Sequence, residues 1–151
     1  MNVKIIATNR KAKHDFFLTE FYEAGLALKG SEIKSIRANQ VSLNEAYVYT
    51  DGREAFLVDA YIAPYEQAGI YNHAPRRQRK LLLHRREIQR LWNQVRQKGM
   101  TIIPTKLYLK EGLAKVEIAV AKGKRQYDKR HSIAKRDTER EIERHLKERY
   151  K

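Results

Sequence analysis

A chain of 151 residues holds one compact domain and is short for two. Its 32 Lys and Arg against 18 Asp and Glu leave a formal net charge of +14, while a hydrophobic share of 42% suffices for a core and excludes a disordered basic peptide. The lack of cysteine excludes disulfides, thiolate zinc sites and a cysteine nucleophile, and the longest run free of charged residues, Gln67–Pro75, is nine residues where a bilayer span needs ~20. The first ten residues hold no apolar stretch of signal-peptide length, so a cytoplasmic protein is expected. A surface this basic is drawn to polyanions, because neutralising phosphates releases condensed counterions. Nucleic acid is the leading partner, with an anionic membrane surface behind it.

In chain order, residues 15–28 read as a strand, with Phe17, Thr19 and Phe21 at period-two spacing. Gly25 within it marks a bulge or a close approach of another backbone. A short helix is predicted from Ser31, as N-cap, through Ile33 and Ile36. Residues 46–50 and 54–62 flank Asp51-Gly52, a strong hairpin signal. A longer helix begins near His84, spaces Ile88, Leu91, Trp92 and Val95 at i, i+3, i+4 and i+7, and stops at Gly99. Strands 101–109 and 113–121 flank Glu111-Gly112, and in the second Val116, Ile118 and Val120 form an apolar face. Many short antiparallel strands with non-alternating helices argue for a small closed barrel rather than a doubly wound sheet.

The charge divides along the chain. Residues 122–151 carry 12 basic and 6 acidic residues and few large apolar ones, so residues 1–121 read as the folded body and 122–151 as an appended basic tail. In the body, Arg76, Arg77, Arg79, Lys80, Arg85 and Arg86 place six cations within eleven residues with no acid between them. Their mutual repulsion would be relieved by a bound polyanion, and guanidinium forks suit phosphate, which favours RNA or DNA contact over a solvated basic face. In the tail, Lys122–Arg130 sets Tyr127 among cations, a combination suited to stacking on a base, with a flexible basic linker an equal alternative. Thr138-Glu139-Arg140-Glu141 matches a capping box, and Ile142, Leu146 and Tyr150 follow at helical spacing. Seven isolated glycines form no phosphate loop, and His14, His73, His84, His131 and His145 show no metal-ligand spacing. His14 and Asp15, as neighbours on a strand, would point apart. Neither an enzyme nor a cofactor is expected.

Five motifs together resemble one family. They are Asn9-Arg10-Lys11-Ala12 with His14, Tyr22-Glu23-Ala24-Gly25-Leu26-Ala27-Leu28, Gly30-Ser31-Glu32-Ile33-Lys34-Ser35-Ile36-Arg37, Arg79-Lys80-Leu81-Leu82-Leu83 and Lys122-Gly123-Lys124-Arg125-Gln126-Tyr127-Asp128-Lys129-Arg130. In order and spacing they resemble the SsrA-binding protein (SmpB) family. The resemblance implies a mainly β fold, an OB-fold-like antiparallel barrel with about three flanking helices and a basic C-terminal tail, disordered or helical. It implies binding to the tRNA-like domain of transfer-messenger RNA (tmRNA), delivery to stalled ribosomes, mimicry of an anticodon arm in the decoding centre, and tagging of the incomplete peptide. The ribosome, elongation factor Tu and alanyl-tRNA synthetase are the implied partners of an expected monomer, with no membrane and no catalysis. Carried over by motif, Glu23, Leu82, His84 and Lys115 would contact tmRNA, supported by Arg10, Lys11, His14, Lys34, Arg37, Lys122, Lys124 and Arg125. Tyr127, Asp128, Lys129 and Arg130 would meet the decoding centre, with Ile133, Ile142 and Leu146 as apolar anchors of a helix in the message channel. A generic OB-fold RNA-binding or ribosomal protein is the alternative; it explains the charge but not the ordered motifs.

Overall fold

Val116, Ile118 and Val120 are all buried, as their alternation predicts, and beyond Ile118 the opposite face, Ala119 and Ala121, is buried as well. The computed structural model describes residues 3–124. In it, β8 (Thr101–Lys110) and β9 (Leu113–Gly123) form an antiparallel hairpin. Glu111 and Gly112 both sit at positive φ, as the tightest hairpin turn requires. The hairpin carries β1 (Val3–Thr8) on one edge of β8. The other edge of β9 takes β2 (Phe16–Leu26).

From β2 the pairing passes to β7 (Arg79–Leu82), then β5 (Ala55–Val58), β4 (Tyr47–Thr50) and back to β8. Six strands thus close into a ring, and a separate two-stranded ribbon joins β3 (Val41–Ser42) to β6 (Tyr61–Ile62). The architecture is mainly β with helices outside, as expected. Leu57, Leu81, Ile102, Leu107, Val116 and Ile118 fill the interior, joined by Ile36 from α2 (Gly30–Arg37) and by Ile88 and Leu91 from α3 (Arg85–Lys98). Among the described residues no helix is long and apolar enough to cross a membrane.

The hairpin at Asp51 is built as its sequence suggests. The Asp51 carboxylate accepts the backbone N–H groups of Glu54 and Arg53, both at 2.9 Å, and these bonds hold its pKa below the usual carboxylate range. Gly52 has φ 90° and lies against the indole of Trp92, where an added Cβ would come within 3.1 Å of Cδ1. Gln89 Nε2 donates to the Gly52 carbonyl at 2.9 Å, so α3 is seated directly on this turn. Gly52→Ala is expected to cost about 2 kcal/mol, from backbone strain and the displaced indole, read as a lower urea midpoint at unchanged slope.

Local expectations failed at five places, each for a physical reason. Residues 10–15 form a short helix, α1 (Arg10–Asp15), capped by Asn9, whose carboxamide accepts from Ala12 N–H at 3.2 Å and donates to the Pro104 carbonyl at 2.9 Å. His14 and Asp15 therefore do not point apart: Nδ1 lies 2.9 Å from the carboxylate. Ser31 is not a cap. The helix starts two residues earlier, with Lys29 at the N-cap, and Ser31 Oγ is turned inward to His73 Nδ1 at 2.8 Å.

In β2 the register slips between Leu18 and Phe21, three steps against two on β9. The extra residue reverses the alternation, so Phe17 and Phe21 fall on opposite faces. The strand read as 54–62 breaks after Val58, where Asp59 takes φ 62° and the chain turns away to pair with β3. Finally, Arg79 is fully buried, so the cluster at 76–80 is not one continuous basic face.

Candidate nucleic-acid interface

Cross-strand register builds the site. On the outer face of the ring, Leu82 of β7 lies opposite Gly25, Gly25 opposite Lys115, Lys115 opposite Tyr108, and Tyr108 opposite Ile5. Directly opposed residues share a face, so these five form one row across five strands. Their neighbours Ala24, Leu81, Val116 and Leu107 point inward and are buried. Gly25 makes a close approach rather than a bulge: a Cβ there would stand 3.2 Å from Leu82 Cβ. The missing side chain lets Leu82 lie against the sheet while remaining 54% exposed.

Glu23 stands two residues from Gly25 on the same face, opposite Glu117. Its carboxylate accepts a short hydrogen bond from the Tyr108 hydroxyl and faces Lys110 Nζ at 3.5 Å. The Tyr108 bond, with Lys110 and Lys115 nearby, holds Glu23 below the usual carboxylate range against a smaller opposing effect of burial. Burial and the same carboxylate push Tyr108 strongly up. Glu23 is thus a fixed, ionised acceptor, and Tyr108 a fixed donor. Glu117 is held in parallel by Thr105 Oγ1 at 2.6 Å and Lys106 at 3.9 Å. The face pairs two carboxylates with Lys106, Lys110 and Lys115, so it is nearly balanced in charge. Such a surface suits base edges and sugar hydroxyls better than a phosphate track.

The excess positive charge lies elsewhere. Arg10, Lys11 and His14 are exposed on α1, Lys11 reaching Glu45 at 3.4 Å. Lys122 is exposed at the end of β9, and Lys124 Nζ donates to the Lys13 carbonyl at 3.0 Å and sits 5.3 Å from the Phe17 ring centroid. The end of β9 and α1 thereby form one basic corner. At the other end of β2, Lys34 and Arg37 are exposed on α2. Eleven residues of β2 separate these groups. At about 3.3 Å per residue that is ~35 Å, roughly one turn of a nucleic-acid duplex.

The structure brings Glu23, Leu82 and Lys115 together, with His84 two residues beyond Leu82 as the exposed N-cap of α3, its N–H donating to Glu87 at 2.9 Å. It sets Arg10, Lys11, His14, Lys122 and Lys124 at one end and Lys34 and Arg37 at the other. Arg125, Tyr127, Asp128, Lys129, Arg130, Ile133, Ile142 and Leu146 lie outside the described residues. Sequence reasoning missed Tyr108 and Lys110; their placement beside Lys115 around one tight turn was the available signal.

The buried Arg79 belongs to a second network. Glu32, with no exposed surface, accepts from Lys29 N–H at 2.8 Å, from Arg77 Nη2 at 2.5 Å and Nε at 3.0 Å, and from Arg79 Nε. Arg79 spends its other donors on the carbonyls of Ala60, Arg77 and Pro75. Burial raises the pKa of Glu32, but the bonds from Arg77, the Lys29 backbone and Arg79 outweigh it and hold the group ionised. These two arginines serve the fold, and Arg77 keeps only a quarter of its side chain in solvent. Among the described residues no group of His, Asp or Glu is placed to hold a metal.

The chain is similar to known proteins over nearly its whole length. The family model for SmpB protein matches residues 6–148. An SsrA-binding protein of Roseiflexus sp. (strain RS-1) is 59% identical over 97% of this chain and 93% of its own. Those of Chloroflexus aggregans and Moorella thermoacetica are 57% and 54% identical, over 98% and 99% of this chain and 94% and 97% of theirs. A chain in the solved structure described as "tmRNA-SmpB: a journey to the center of the bacterial ribosome" superposes with a TM-score of 0.67 at 43% identity, over 91% of this chain and 93% of that one. The family match over residues 6–148, relatives this similar along nearly the whole chain, and a ring of strands that superposes on a solved member together place the chain in the SmpB protein family.

Proposed function

We propose that this protein binds tmRNA in trans-translation and carries it to stalled ribosomes, where it stands in for an anticodon arm in the decoding centre. The single observation that carries the reading is the outer-face row, in which Leu82, Gly25 and Lys115 adjoin a pre-oriented Glu23 between two basic ends. Basic ends set the register on phosphates, and the balanced centre reads the RNA surface. A carboxylate held ionised at the centre accepts from base amino groups or 2′-hydroxyls and repels a misplaced phosphate. The matched proteins are named for SsrA binding and for a tmRNA complex on the ribosome, which supports the same partners here.

In this reading residues 1–121 carry the tmRNA-binding body, and 122–151 are a ribosome-directed tail. Tyr127 would stack on ribosomal RNA, Asp128, Lys129 and Arg130 would engage the decoding centre, and Ile133, Ile142 and Leu146 would anchor a helix. Elongation factor Tu and alanyl-tRNA synthetase would meet the protein on the same RNA.

Filter binding at fixed salt tests the body's role. The protein is expected to hold tmRNA far more tightly than an unrelated structured RNA of equal length. Glu23→Ala is expected to weaken tmRNA binding about tenfold while leaving binding to the unrelated RNA unchanged. Equal affinity for the two RNAs would instead indicate a general RNA-binding protein.

A further inference from the structure

The longest uncharged stretch of the chain, Gln67–Pro75, has no part in the outer-face row, yet its loop is firmly built. The Asn72 carboxamide clasps Tyr65 from both sides, accepting its N–H at 3.0 Å and donating to its carbonyl at 2.8 Å. Next to it His73 is buried. Its Nε2 lies 2.9 Å from the Ile62 carbonyl, which can only accept, so Nε2 carries the proton and Nδ1 accepts from Ser31 Oγ. The chain between, Glu66–Tyr71, is a pair of 3-10 turns kinked at Gly69, whose φ of 55° and ψ of −119° suit glycine alone.

This framework holds two apolar side chains out in solvent. Ile70 is 90% and Tyr71 80% exposed, more than any other large hydrophobic residue among those described. A floppy loop would fold such groups back onto the body and recover their burial; this one is pinned so that they stay out. Two cations lie at its root. Lys34 Nζ sits 5.4 Å from the centre of the Tyr65 ring at the base of the loop, and Arg76 lies 5.5 Å from that of Tyr61 where the chain returns. Of the nearby acids, Glu32 is consumed within the fold, which leaves Glu66 and Asp59. An apolar tip alone would suit a protein partner, but an exposed planar ring on a loop whose root carries two cations complements a polyanion with exposed bases.

We propose that the Ile70–Tyr71 tip is a second RNA contact, separate from the outer-face row, in which Tyr71 stacks on an unpaired base while Lys34 and Arg76 hold the flanking phosphates. It rests on the reading above only in taking RNA as the partner. The unpaired base can belong to tmRNA or to ribosomal RNA, and both offer the same chemistry.

The test uses the full chain, with tmRNA transcript and purified ribosomes as separate probes, and compares Tyr71→Ala, Tyr71→Trp and Glu23→Ala. Tyr71→Ala is expected to weaken binding to one of the two probes about tenfold. Its salt dependence should stay unchanged, because no phosphate contact is removed, and its thermal midpoint should match wild type. Tyr71→Trp, which keeps a stacking face, should restore affinity to within about twofold. Ultraviolet cross-linking should place a nucleotide on the tryptic peptide Glu54–Arg76 in the affected complex and thereby tell tmRNA from ribosomal RNA. Wild-type affinity of Tyr71→Ala for both probes overturns the proposal, as does lost ribosome binding without a cross-linked nucleotide, which would assign the tip to a protein. If Glu23→Ala weakens tmRNA binding and Tyr71→Ala affects neither probe, this inference fails and the function proposed above stands. If wild type shows no preference for tmRNA, that function fails, while Tyr71-dependent cross-linking to ribosomal RNA would still support the tip.

Discussion

Glu32→Ala is expected to lower the unfolding free energy by about 3–5 kcal/mol, a large part of the roughly 5–15 kcal/mol that a domain possesses. The cost arises from what stays behind. Arg79 is fully buried and has no other carboxylate partner among the described residues, so removing Glu32 strands a guanidinium charge among three carbonyls. Glu32→Gln keeps shape and part of the bonding but removes the charge, and should fall between wild type and Glu32→Ala. The pH dependence has a definite sign. The pKa of Glu32 is held down in the fold, so its stabilisation is present above the unfolded glutamate value, about 4.3, and is lost as pH falls through the lower folded value. Wild type should therefore lose more stability than Glu32→Gln on acidification below about pH 4. Urea titrations of the three proteins at neutral and acidic pH measure both effects, and a Glu32→Ala midpoint equal to wild type would show the network to be dispensable.

Ending the chain after Lys124 is expected to leave the body folded and tmRNA bound, while peptide tagging on stalled ribosomes drops to background. The ring, the outer-face row and the basic corner are complete by Lys124, so folding and specific recognition keep their parts. The truncation removes Tyr127, Asp128, Lys129 and Arg130, along with Ile133, Ile142 and Leu146, the residues proposed for the ribosome, and of the proposed tmRNA contacts it removes Arg125 alone. It also removes a net charge of +4, so non-specific RNA affinity should fall and depend less on salt. A thermal midpoint, tmRNA filter binding and a reconstituted tagging reaction separate these outcomes. Normal tagging by the shortened chain would refute the division into body and tail.

Elements whose signal is local were legible in the sequence. The Glu111-Gly112 hairpin, the turn at Asp51-Gly52 and α3 with its Gly99 stop all lie where turn chemistry and periodicity place them, because each is decided by residues a few positions apart. Helix α1 was not legible. Only Ala12 of its six residues is apolar, and the helix is held by the Asn9 cap and by docking on Pro104, which lies 95 residues away in sequence. The burial of Arg79 was hidden for the same reason. A run of arginines reads as a basic surface until a carboxylate 47 residues earlier is found beneath it. In the candidate site, Glu23, Leu82 and Lys115 were singled out by motif, but only register makes them neighbours. The hydroxyl that orients Glu23 comes from 85 residues away, a distance at which no pattern in the chain points to it.

The closed ring also sets an order of events during synthesis. Residues 16–24 of β2 find their strand partners only in residues 116–123, so most of the ring's chain leaves the ribosome before β9 exists to close it. Until then β2 and β8 each present an open edge, and pairing this remote in sequence forms late and slowly. A nascent chain halted before β9 would thus be left with two unpaired strand edges and a gap in the wall of its core, open to aggregation and proteolysis.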